Sequence, residues 1–107
     1  MKFDVTKLSS ELARIQTEFA KALEKIRVEA SAGGGMVKVI ADGQGNVISI
    51  TIEPELLKEK ELDIEMLQDL IVAAVNEAKN LAKEESQKEM KKIVGFPIPG
   101  MFPDNLF

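Results

Sequence analysis

A chain of 107 residues, 45% apolar and 30% charged, has the composition of one soluble globular domain, near the size at which a partner subunit helps to complete a core. Its 14 Lys+Arg against 18 Asp+Glu leave a net charge of −4, which is mildly acidic and argues against a bulk attraction to nucleic acid or to an anionic membrane. The absence of cysteine and histidine excludes a disulfide framework, thiolate or imidazole metal sites and histidine acid–base catalysis.

The first element is a helix over about residues 5–27. Val5, Leu8, Leu12, Ile15, Phe19, Ala22 and Ile26 alternate spacings of 3 and 4, the a/d seam of a coiled coil, and Asp4 is placed to cap the first turn. "SAGGG" ends the helix and a sheet follows over about 28–53. "VEASA" offers an edge strand, while Val37 and Val39 alternate with Lys38, and Ile48, Ile50 and Ile52 alternate with Ser49 and Thr51. "DGQGN" is the hairpin signal between the last two. If the valines and isoleucines share one buried face, odd positions pair with even ones, which a four-residue loop at 42–45 or 43–46 would satisfy.

Residues 54–62 read as a connector, because Pro54 cannot continue a central strand. A second helix then spans about 64–93. Asp63 is its N-cap, Leu62 and Leu67 form a staple, and Leu67, Ile71, Ala74, Ala78 and Leu81 form its seam, which turns polar at Glu85 and Lys88. The tail 95–107, with three prolines and three phenylalanines, cannot be helical. The whole is a single α+β domain: long N-terminal helix, three-stranded antiparallel sheet, long C-terminal helix. Two amphipathic helices present more apolar surface than one small sheet can cover, so a homodimer is expected.

Chemistry is sparse along this chain. Gly33–Gly35 precede a strand rather than a helix and lack a following Lys-Ser/Thr pair, so they are strand punctuation and not a phosphate loop. Glu53, Glu55, Glu59 and Glu61 lie in a solvated connector, and no acidic cluster has an EF-hand's spacing. No catalytic residue, metal ligand, cofactor or small-molecule substrate is expected, and no apolar run is long enough for a membrane span. The N-terminus lacks a signal peptide's apolar middle, so the expected location is cytoplasmic.

The basic residues carry more information. Lys7, Arg14 and Lys21 occupy one heptad position and form a stripe on the first helix, with Arg27 near its end. Glu11 and Glu18 follow Lys7 and Arg14 at i+4, where they support the helix as ion pairs on a solvated face. Lys79, Lys83, Lys88, Lys91 and Lys92 make the later half of the second helix basic, with Glu84, Glu85 and Glu89 interleaved.

The order of the blocks "SAGGGMVKVIADGQGNVISITIEPELL", "DIEMLQDLIVAAVNEA" and "GFPIPGMF" resembles the YbaB/EbfC family of bacterial nucleoid-associated proteins over roughly residues 28–102. The resemblance implies a small α–β–α protomer, a homodimer with helices projecting like tweezer arms, and binding of double-stranded DNA with little sequence preference. Nucleoid organisation or gene regulation would be its role. The DNA contacts would then fall on Lys7, Arg14, Lys21, Arg27, Lys79, Lys83, Lys88, Lys91 and Lys92. The N-terminal helix matches the family by pattern rather than by motif. A helix–hairpin–helix with heptad seams is also similar to prefoldin subunits, which implies the alternative of a coiled-coil interaction module or holdase without DNA binding.

Overall fold

The computed structural model describes residues 5–58 and 63–94. In chain order these form α1 (Val5–Lys25), β1 (Val28–Ala32), β2 (Val37–Ala41), β3 (Val47–Ile52), the single turn α2 (Pro54–Leu57) and α3 (Ile64–Val94). The expected α+β order of long helix, three-stranded antiparallel sheet and long helix is present. Capping by Asp4, the staple with Leu62 and the placement of the tail lie outside the described residues.

The ends of α1 and α3 follow from side-chain chemistry. At the close of α1 the Ile26 N–H donates to the Leu23 carbonyl at 3.2 Å. The Arg27 guanidinium donates to the carbonyls of Glu24 at 2.7 Å and Ile26 at 2.9 Å, satisfying acceptors that a helix end leaves over. At the start of α3 the Asp63 carboxylate accepts from the Met66 N–H at 3.0 Å, the N-cap geometry expected of it.

The sheet has the order β1-β2-β3. Gly33, Gly34 and Gly35 all take positive φ (65°, 67° and 93°) between β1 and β2, a run of backbone conformations that side chains resist. Val37 pairs with Ile52 and Val39 with Ile50, so odd positions do oppose even ones. The loop differs from the expected four residues. A register shift at Ile40/Ala41 brings Ala41 opposite Val47, leaves Ile48 without an opposite residue and lengthens the loop to residues 42–46. The Asp42 side chain is the reason the longer loop holds. It is buried, and accepts from the backbone N–H groups of Gln44 (2.9 Å) and Asn46 (3.0 Å) and from Asn46 Nδ2 (3.2 Å).

The core lies between the sheet and α3. Val28, Ala30, Val37, Val39 and Ala41 from the strands meet Ala74, Ala78 and Ala82 from α3. The expectation that the isoleucines share this buried face is corrected. Val39 is 0% exposed, whereas Ile50 opposite it is 44% and Ile48 49% exposed. Pairing puts the two rows on one side of the sheet, but α3 packs mainly across β1 and β2 and leaves β3 uncovered. The connector is also more structured than expected: Pro54 opens a helical turn that buries Leu56.

On α3 the expected seam residues Leu67, Ile71, Ala74, Ala78 and Leu81 all pack in or against the core, while the most deeply buried positions follow a second line. Ala74, Ala78, Ala82, Ser86 and Met90 are the buried positions, each four residues after the last. Four residues turn a helix through about 400°, so this line rotates by roughly 40° per step. The helix therefore turns its small residues first to the sheet and then to α1, which packs against it. Ser86, 1% exposed, satisfies its hydroxyl by donating to the Lys83 carbonyl at 2.8 Å.

Two contacts fix where α3 lies. A Cβ on Gly33 would be 3.0 Å from Leu70, and Lys79 Nζ donates to the Gly45 carbonyl at 2.9 Å. Between these points α3 traverses the sheet from the glycine turn to the 42–46 turn. Its remainder, Asn80–Val94, continues about 22 Å further. Gly43 N–H donates to the Leu23 carbonyl at 2.9 Å, so α1 meets the sheet at the same end and runs back beside α3. Together they form an arm. The seam residues Val5, Leu8 and Leu12, far from the sheet, remain exposed.

Candidate nucleic-acid interface

All nine expected basic positions fall on the arm or at its junction with the sheet, but their charges are not equally available. Arg14 is held between two acids: its guanidinium donates to Glu11 at 2.9 and 3.2 Å and to Glu18 at 2.7 Å. The hydrogen bonds from Glu11 and then Glu18 raise its pKa from the ordinary arginine value, so the group is a permanent cation already matched by two carboxylates. Lys7 is exposed and engaged. Lys21 is exposed and makes no hydrogen bond or ion pair among the described residues.

On α3, Lys79 serves the fold. Its half-buried ammonium is spent on the Gly45 carbonyl and ties the β2–β3 turn to the helix. Lys83 is half-buried and engaged. Lys88 pairs with Glu85 at 3.2 Å and Lys92 with Glu89 at 3.8 Å, both one turn apart on the helix surface. Lys91 is exposed and unpaired among the described residues. Arg27 caps α1, as described, but its acceptors are neutral carbonyls and its charge is uncompensated by them.

The structure therefore separates the nine into occupied cations (Arg14, Lys79, Lys88, Lys92), engaged ones (Lys7, Lys83) and open ones (Lys21, Arg27, Lys91). One further open cation is Lys25, exposed in the last turn of α1 and unpaired among the described residues. Its signal was present in the heptad. The position that carries Glu11 and Glu18 in the first two repeats carries Lys25 in the third. Among the described residues no group of three acidic side chains is arranged to hold a metal ion, and no helix is long and apolar enough to cross a membrane.

Comparison with known proteins places these features in context. The model of the YbaB/EbfC DNA-binding family matches residues 1–96. A nucleoid-associated protein of Alkaliphilus metalliredigens is 48% identical over 103 residues, covering 95% of this chain and 85% of its own. One from Pelotomaculum thermopropionicum is 43% identical over 103 residues, covering 95% and 92%. In fold, the crystal structure of an uncharacterized protein from Helicobacter pylori superposes with a TM-score of 0.67 at 24% identity, covering 88% of this chain and 100% of that one.

Proposed function

Because this chain belongs to the YbaB/EbfC DNA-binding family, we propose that it is a nucleoid-associated protein that binds double-stranded DNA as a homodimer with little sequence preference. Its role is nucleoid organisation or gene regulation. The family match over nearly the whole chain carries this reading, and the family is defined by DNA binding, not by catalysis. The arm supplies lysine and arginine without aromatic stacking platforms, which suits contact with duplex phosphates and not base readout.

What α3 leaves bare supports the dimer. Ile48 and Ile50 are exposed on the helix-facing side of an edge strand, and an uncovered apolar edge is a liability in a lone protomer. Val72, seven residues before Lys79 and so on the same flank of α3, is 58% exposed. Since Lys79 reaches the β2–β3 turn, exposed Val72 on this flank and exposed Ile48 and Ile50 on β3 support one apolar surface that a second copy would cover with its own. The arms of both copies then project from one central body.

A gel-shift titration with a duplex at two salt concentrations tests the function. Binding at low salt that weakens steeply as salt rises is expected, because phosphate contacts release counterions. No shift at micromolar protein and low salt would overturn it.

A further inference from the structure

We propose that the principal phosphate contacts lie at the root of the arm, on Lys21, Lys25 and Arg27, and not along its length. This rests on the DNA-binding reading above and assigns that interface its residues.

Three observations carry it. The first is the pairing pattern on α1. Lys7, Arg14 and Lys21 are followed at i+4 by Glu11, Glu18 and Lys25, so the matching row is acidic for two repeats and basic in the third. Arg14 shows the effect of an acidic neighbour, because it would have to surrender ion pairs at 2.7 and 2.9 Å to reach a phosphate. Lys21 and Lys25 have nothing to surrender among the described residues, and they stand one turn apart, about 6 Å along the axis.

The second is local charge. From Phe19 to Val28, Glu24 is the one acid beside Lys21, Lys25 and Arg27, in a chain whose net charge is −4. A locally positive surface is what an acidic protein needs in order to meet a polyanion.

The third is rigidity. The root is tied to the sheet by the Gly43 N–H to Leu23 carbonyl bond, and Leu23 is buried, whereas Val5–Arg14 are exposed throughout. Arg27 is oriented by two carbonyls that leave its charge intact. Cations held in place lose less conformational freedom on binding than cations on an unsupported helix.

Fluorescence anisotropy with a labelled mixed-sequence duplex, at a series of salt concentrations, tests this on the full chain. The double variant Lys21→Ala/Lys25→Ala is expected to weaken binding by on the order of tenfold and to make the salt slope shallower by about two per protomer. Arg14→Ala should change affinity by less than about twofold, and Lys21→Arg/Lys25→Arg should bind like the unaltered protein. Equal losses for Arg14→Ala and the double variant, or an unchanged slope in the double variant, would overturn the assignment while leaving DNA binding standing. Failure of the unaltered protein to bind duplex at low salt would overturn both. Circular dichroism of each variant shows that the helices persist.

Discussion

Two glycines in this chain are needed for different reasons, and they predict different mutational costs. A Cβ on Gly43 would sit 2.9 Å from the Leu23 carbonyl oxygen, a backbone atom that cannot swing away. Gly43→Ala should therefore separate α1 from the sheet turn and lower stability by about 1–3 kcal/mol. Gly34 has open space around it but a φ of +67°, so Gly34→Ala meets only backbone strain, about 1–2 kcal/mol. Urea unfolding of both variants checks the values, and only Gly43→Ala should also disturb the arm. Asp42 is the third sensitive residue. Asp42→Ala removes the acceptor for three hydrogen bonds inside the five-residue turn, and is expected to cost about 1–3 kcal/mol by the same measurement.

At the level of elements, α3 determines how the rest is arranged. Its buried line of Ala74, Ala78, Ala82, Ser86 and Met90 consists mostly of small residues, which lets the helix approach both the sheet and α1 closely. Ala82→Leu should overpack that contact and destabilise by about 1–3 kcal/mol, whereas Val72→Ala, on the exposed flank, should leave a protomer's packing nearly unchanged. Thermal unfolding compares the two. The heptad pattern found both helices. On α1 its seam is half-buried at Ile15, Phe19, Ala22 and Ile26 but exposed at Val5, Leu8 and Leu12, and on α3 Leu67, Ile71, Ala74, Ala78 and Leu81 do face the core. Beyond Leu81, where the seam turns polar as expected, the buried line keeps a spacing of four, because a 3–4 alternation describes packing against one partner. Here the helix has two partners in succession, and a line with spacing four rotates from one to the other.

The molecule as a whole is extended. Its radius of gyration is 19.1 Å, against about 13 Å for a compact chain of similar length, because both helices run on past the sheet. In the proposed dimer, the exposed Ile48 and Ile50 of β3 would join two such arms. Under the proposed dimer, Ile50→Lys is expected to abolish self-association in sedimentation equilibrium and to weaken duplex binding well beyond the effect of one surface charge, since two linked arms would bind with an advantage that one lacks. A dimer would carry twice the −4 of the chain, so neutralising acids near the arm's root should strengthen binding; Glu24→Gln, titrated by anisotropy, should do so by severalfold.

The sequence by itself determined the two long helices, the three strands and their order, the odd-to-even pairing of β2 with β3, the Asp63 cap and the family, but not the turn α2. These depend on local periodicity, on turn residues and on blocks whose order is distinctive. Tertiary structure alone decided which members of each pattern are buried and which charges are open. Val39 and Ile50 alternate alike in sequence, yet α3 covers one and not the other. Lys21 and Lys79 read alike as helix-surface lysines, yet one is open and the other is tied to the Gly45 carbonyl. Periodicity sets the face on which a residue lies. What meets that face depends on the path of another element, and no local pattern encodes it.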